Sequence, residues 1–299
     1  MGLDTSLEFV ALETAIEGQR RRVERGLQRL HDAGQAPAVA AAIEDSLFAP
    51  AKRIRPVLAL LVAELLRGDP ERVVPAACAV EMVHTASLIL DDLPCMDDAR
   101  FRRGRPACHV VHGEATAVLA AFALLNRAFA ILAEEWEDGP DAVTRAWLAA
   151  ELARAVGMNG MIAGQSMDLL MTDRRIDFST LEFTHSRKTG ALFMASGTFG
   201  ARISRASDGE LAAIQTYAKN LGLAFQIVDD LIDATGGAEA GKDVGKDLKK
   251  TTFVSFSGVE GARQLAEELA LASQVALQPF AAQAQTLTDL ARYVVSRRR

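Results

Sequence analysis

His84-Thr85-Ala86-Ser87-Leu88-Ile89-Leu90-Asp91-Asp92-Leu93-Pro94-Cys95-Met96-Asp97-Asp98 is a mostly apolar run that ends in four carboxylates. A second run has the same form, from Leu221 through Phe225-Gln226-Ile227-Val228 to Asp229-Asp230-Leu231-Ile232-Asp233. Bunched carboxylates repel one another and call for a cation. A hard ion such as Mg²⁺ meets that need and commonly keeps phosphate oxygens among its ligands. A solvated acidic surface needs no such apolar context, and the loop pattern of an EF-hand is absent from both runs.

On a regular helix Asp229 and Asp233 are i,i+4 neighbours that share one face. Asp91 and Asp97 are six residues apart, roughly 240° around an ideal helix, so a distortion is needed to bring them together. Pro94 is expected to bend or loosen the helix there.

The rest of the chain is rich in alanine and leucine, and strand-like alternation is nearly absent. Helical stretches are expected at 4–30, 38–47, 53–66, 73–92, 114–134, 142–170, 179–203, 207–233, 260–276 and 279–296. Breaks fall at Ala33-Gly34-Gln35-Ala36-Pro37, Gly68-Asp69-Pro70, Asp138-Gly139-Pro140 and Gly236-Gly237. Ala115 to Leu132 is apolar over most of its circumference and is expected in the inner layer of a bundle. The predicted fold is therefore all-α, a single domain over residues 1–299, with two helices presenting carboxylates across a deep central cavity.

With 33 basic and 39 acidic residues, net charge −6, and no long basic block, the 299-residue chain is not expected to bind nucleic acid, and the final Arg297-Arg298-Arg299 is too short to change that. Three cysteines without a CxxC pair point to a reducing compartment. Residues 1–24 lack a secretory apolar core, and no uninterrupted apolar run reaches the length of a membrane span. The expected location is cytoplasmic, with no transmembrane segment.

Basic residues flank the acidic ones. Lys52-Arg53-Ile54-Arg55-Pro56, Arg102-Arg103, Lys188-Thr189, Lys242 and Lys250 are candidate phosphate ligands, because arginine forks and lysine heads both suit phosphate oxygens. His84 and Gln226 fit either a satisfied core hydrogen bond or a diphosphate contact. Gln165 and Asp168 lie on another predicted inner helix, where a buried Asp168 needs a partner. Behind Asp91, the small Ala86 and Ser87, with Val83 deeper, leave room for a hydrocarbon tail and favour a longer product.

At these residues the chain resembles the trans-isoprenyl diphosphate synthases, or polyprenyl synthetases, and among them the bacterial geranylgeranyl diphosphate synthases of carotenoid pathways. The likeness runs from about Ala51 to the C-terminus. It rests on Lys52-Arg53-Ile54-Arg55-Pro56, on His84 to Ile89, on Asp91-Asp92-(four residues)-Asp97 with Arg102-Arg103-Gly104-Arg105-Pro106, and on Phe225 to Asp233. The resemblance implies an isoprenoid synthase bundle and head-to-tail (1′-4) condensation of isopentenyl diphosphate with dimethylallyl, geranyl or farnesyl diphosphate.

It further implies that Asp91, Asp92, Asp97, Asp229 and Asp233 hold three Mg²⁺ against the allylic diphosphate. Arg102, Lys188, Gln226, Lys242 and Lys250 would contact that substrate, and Thr189 would steady the allylic cation. Lys52, Arg55, His84 and Arg103 would bind isopentenyl diphosphate, with Arg297 in a tail that closes over that site. Lys249 competes with Lys250, because the usual glycine is missing. Elongation is expected to reach C20, and the family implies a homodimer. A farnesyl diphosphate synthase making C15 is the main alternative. A terpene cyclase would not need Lys52, Arg55 and Arg103, and a non-catalytic partner subunit should have lost one acidic motif.

Overall fold

The computed structural model describes residues 9–32, 34–171, 176–235 and 251–297. Lys242, Lys249 and Lys250 lie outside the described residues. Thirteen α-helices are described: α1 (Val10–Leu30), α2 (Pro37–Leu47), α3 (Ile54–Leu65), α4 (Val74–Asp91), α5 (Cys108–His112), α6 (Glu114–Ala133), α7 (Ala142–Val156), α8 (Met161–Leu170), α9 (Phe178–His185), α10 (Ala191–Ile203), α11 (Asp208–Thr235), α12 (Phe253–Ala276) and α13 (Gln285–Ser296). Among the described residues the strand content is one two-residue ladder, β1 (Phe101–Arg102) antiparallel to β2 (Arg105–Pro106). The all-α expectation is met.

Helix α3 buries every residue except Glu64, and α10 buries all but Ala191, Met194 and Arg202. These two cross closely: a Cβ on Gly200 would sit 2.3 Å from the Ala59 carbonyl oxygen. Around them, Val83, Ala86, Ile89 and Phe199 join one apolar cluster, and Val57, Phe193, Tyr217 and Leu290 join another. Each such Leu, Val or Phe contributes about 1.5–3 kcal/mol of burial free energy.

The expected inner helix at Ala115 to Leu132 is not inner. α6 buries Ala117, Ala120, Ala121, Leu124, Ala128, Ile131 and Leu132, while Leu119 and Phe122 on its other side are 55% and 66% exposed. An all-round apolar helix and one with a second apolar face left open have the same periodicity. By length and composition α4 and α6 are both apolar enough to cross a membrane. Each run is nevertheless broken by a charged residue, Glu81 in α4 and Arg127 in α6, and α4 is 72% buried within the bundle.

Two long predicted helices are broken. The stretch 142–170 divides at Gly157 and Gly160, which close a turn through a 2.8 Å backbone bond. The stretch 179–203 is interrupted by a π-helical turn, Ser186–Gly190. Helix α12 starts earlier than expected, on a capping box formed by Thr252 and Ser255. A 3₁₀ segment, Gln278–Ala284, precedes α13.

Pro94 does not bend a helix, because α4 has already ended at Asp91 and Pro94 is exposed in the turn beyond. The chain folds back so that the amide of Asp97 donates to the Asp91 carbonyl at 2.9 Å and that of Asp98 to Leu93 at 3.0 Å. Asp98 takes a left-handed backbone, φ 47°. This return, rather than a kink, brings Asp97 beside the end of α4.

Candidate active site

The π-turn between α9 and α10 links the two acidic clusters. Lys188 Nζ donates to Asp168 Oδ2 at 2.8 Å and lies 3.9 Å from Asp91 Oδ2. The next residue, Thr189, donates its hydroxyl to Gln226 Oε1 at 2.8 Å. Gln226 Nε2 in turn donates to Asp230 Oδ1 at 3.0 Å, and the amide of Phe253 donates to Asp230 Oδ2 at 3.1 Å. Two consecutive residues thus serve both acidic motifs: Lys188 lies against Asp168 and Asp91, and Thr189 reaches Asp230 through Gln226. π-Turns widen a helix locally and recur at functional sites.

Gly164 makes room for this arrangement. A Cβ there would fall 2.2 Å from the Lys188 amide nitrogen, so α8 can lie against the π-turn only because the side chain is absent. Gln165, next on α8, has both amide atoms buried without a hydrogen-bond partner. Such a group costs free energy unless something else satisfies it.

In the first acidic cluster Asp92 is buried, and Arg102 reaches it from β1 with Nε 3.0 Å from Oδ1 and Nη2 bonded to the same oxygen. Burial raises the Asp92 carboxyl above its ordinary value, with Arg102 opposing the shift. On α11, Asp229 and Asp233 are one turn apart in an unbroken helix. Asp229 is held by Arg297 Nη2 at 2.8 Å. That guanidinium also lies 3.8 Å from the Phe225 ring centroid and donates to the Phe225 carbonyl. Arg297 therefore sits on the second acidic cluster.

A basic group forms beside these carboxylates. Arg55 Nη1 donates to His84 Nε2 at 3.3 Å, and its guanidinium lies 4.8 Å from the Phe193 ring centroid. Burial lowers Arg55 to about 10, against the pull of Glu81 and Asp229. Burial, followed by the charges of Arg55, Arg103, Arg102 and Arg53, holds His84 well below the usual imidazole range. His84 is therefore neutral and accepts from Arg55. Arg103 and Gly104 both have positive φ, 54° and 73°, as a tight two-residue hairpin between β1 and β2 requires. Arg102 thereby meets Asp92 while Arg103 lies close enough to influence Arg55 and His84. Lys52 is exposed just before the start of α3.

Val83 and Ala86 are buried in the cluster that contains Phe199, and Ser87, half-buried, donates to the His84 carbonyl at 2.8 Å. Sequence reasoning missed Gly164 and Glu81, and it counted Arg53 among the candidate phosphate ligands, whereas Arg53 is buried on Glu81 with Nη1 to Oε1 at 2.7 Å. The available signal was a lone glutamate three residues before His84 in an otherwise apolar helix.

Oxygen donors on two facing elements suit a hard divalent ion by chemistry. Among the described residues no three His, Cys, Asp or Glu side chains converge on one point. Side-chain cations lie against Asp91, Asp92 and Asp229 instead.

The chain matches the polyprenyl synthetase family model over residues 36–285. It belongs to the polyprenyl synthetase family. This polyprenyl synthetase is 40% identical over 263 residues to geranylgeranyl pyrophosphate synthase 7, chloroplastic, of Arabidopsis thaliana, covering 86% of this chain and 75% of that one. It is 40% identical to a dimethylallyltranstransferase of Fischerella ambigua, over 93% and 82% of the two chains. Its fold superposes on a solved FPP/GFPP synthase from Zymomonas mobilis with a TM-score of 0.85 at 34% identity, covering 96% and 99%. A geranyltransferase from Helicobacter pylori, solved with magnesium and isoprenyl diphosphate, gives 0.80 at 29% identity, covering 94% and 96%. Polyprenyl synthetases use isopentenyl and allylic diphosphates, and the protein is a trans-prenyltransferase.

Proposed function

We propose that this polyprenyl synthetase condenses isopentenyl diphosphate head-to-tail with allylic diphosphates and elongates them to geranylgeranyl diphosphate, C20. The observation that carries the reading is the adjacent pair Lys188 and Thr189, the first 3.9 Å from Asp91 and the second bonded through Gln226 to Asp230, which brings both acidic motifs to one site. Asp91, Asp92, Asp97, Asp229 and Asp233 would hold Mg²⁺, three by family resemblance. The metal, when bound, neutralises charge on the departing diphosphate.

Arg102 and Lys188 add fixed positive charge at the allylic diphosphate, where charge develops as the C–O bond breaks. The Thr189 hydroxyl and the unpaired Gln165 amide offer dipoles to the allylic cation. Lys52, Arg55, His84 and Arg103 bind the second diphosphate and aim the isopentenyl double bond at that cation. Apolar packing around Val83 and Ala86 keeps water from capturing it. The proton lost after condensation goes to the released diphosphate, as the family resemblance implies.

The C15 alternative draws support from the Zymomonas mobilis neighbour, whose name includes FPP. Supplying Mg²⁺, isopentenyl diphosphate and each allylic starter, then measuring product chain length, decides between them. A C20 product is expected; a product that stops at C15 overturns the elongation reading, and no condensation overturns the whole. The exposed Leu119 and Phe122 face of α6, with Val110 and Val111 of α5 also exposed, supports a homodimer. Light scattering should give twice the chain mass, reduced by Phe122→Glu. A cytoplasmic location completes the proposal.

A further inference from the structure

We infer that Arg53 and Glu81 form a positioning pair that sets the geometry of the isopentenyl diphosphate site. The inference rests on the reading that Lys52, Arg55, His84 and Arg103 hold that diphosphate.

Arg53 caps the start of α3 with a left-handed backbone, φ 51° and ψ 33°, and its side chain makes no capping bond. Left-handed backbone is costly for a residue with a Cβ, and it persists where the surroundings enforce it. Here the enforcement comes from the side chain, which is 2% exposed. Nη1 donates to Glu81 Oε1 at 2.7 Å, and Nη2 donates to the carbonyls of Leu47 and Ala49. One guanidinium thus joins the end of α2, the start of α3 and the middle of α4.

The turn it enforces sorts its neighbours. Arg53 goes inward, Lys52 stays exposed, and Arg55 reaches His84 one turn along α4 from Glu81. Two polar side-chain contacts join the beginning of α3 to α4 in addition to their apolar packing: Arg53 on Glu81, and Arg55 on His84. Both run between the same two helices, so movement of the first displaces the second.

Stability alone does not explain the pair. A buried ion pair commonly contributes no more than an apolar pair of similar volume, while fixing a unique arrangement is its better supported use. Glu81 also supplies negative charge that favours the charged forms of Arg55 and Arg103, so several arginines can crowd one anion site.

The test replaces both partners at once, Arg53→Met with Glu81→Met, so that no lone charge is left buried. Isopentenyl diphosphate binding is measured by calorimetry, KM for isopentenyl and allylic substrates by steady-state kinetics, and folding by thermal melting. We expect a folded double variant with KM and Kd for isopentenyl diphosphate raised tenfold or more, allylic KM within twofold, and kcat at saturation largely retained. Should that variant not fold, Arg53→Lys carries the same comparison, since a single ammonium nitrogen does not reproduce the planar two-nitrogen fork that spans Glu81 and the two carbonyls. Unchanged isopentenyl constants in a folded variant, or equal loss for both substrates, overturn the inference alone. A wild-type chain that neither binds nor consumes isopentenyl diphosphate overturns the functional reading and the inference with it.

Discussion

Arg297 Nη2 lies 2.8 Å from Asp229 Oδ1, although 68 residues separate the two in sequence. The tail arginine is thus placed on a proposed metal ligand, and its side chain is 5% exposed. An ion of charge +2 and a guanidinium compete for the same carboxylate oxygen. Arg297→Ala removes one competitor worth about 1 kcal/mol. The Mg²⁺ concentration for half-maximal velocity should fall roughly fivefold, by the usual conversion of free energy to affinity. A metal titration that matches the wild type would refute the competition.

Ala86 lies one helical turn before Leu90, buried at 4% beside Val83. Ala86→Phe fills the space proposed for the growing tail and should move the main product from C20 to C15. Chromatography of the dephosphorylated products checks it. An unchanged product from a variant destabilised by about 1–3 kcal/mol would mean that Ala86 packs in the core and lines no tail pocket.

Gly164 predicts a different failure. Its Cβ-free backbone lies against Lys188, and a methyl group would meet the Lys188 nitrogen at 2.2 Å and its Cα at 2.7 Å. Backbone atoms cannot swing away as a side chain can, so α8 must shift. Gly164→Ala should cost about 1–3 kcal/mol of stability. It should also lower kcat well beyond the fraction unfolded, because Lys188 and Asp168 separate. Loss of turnover no larger than loss of folded protein would leave Gly164 a purely structural residue.

His84 sets a pH dependence. The folded state keeps it neutral, because burial and four nearby arginines oppose protonation. In the unfolded chain an imidazole titrates near ~6.5, so on acidification the unfolded state takes up the proton first. The His84 contribution is therefore fully present above about pH 6.5 and declines as pH falls below it, by up to about 1.4 kcal/mol per pH unit. His84→Gln should flatten that acid limb. Urea midpoints for both proteins at about pH 7.5 and 5.5 provide the measurement, and equal acid sensitivity would remove His84 from the account.

The helical class was legible in the chain because alanine- and leucine-rich periodicity is local, and so were the acidic and basic motifs, each compact in sequence. Helix α11 kept Asp229 and Asp233 one turn apart because nothing between them interrupts the helix. What the sequence hid depends on where distant segments meet. The return of Asp97 onto Asp91, the burial of Arg53 on Glu81, the approach of Gly164 to Lys188 and the reach of Arg297 to Asp229 are of that kind. Composition likewise assigned α6 to the interior, since an apolar face has the same pattern whether this bundle covers it or leaves it exposed. Residue type set which groups could carry the chemistry; only the packed helices, through loop returns and buried ion pairs, decided which of them stand together.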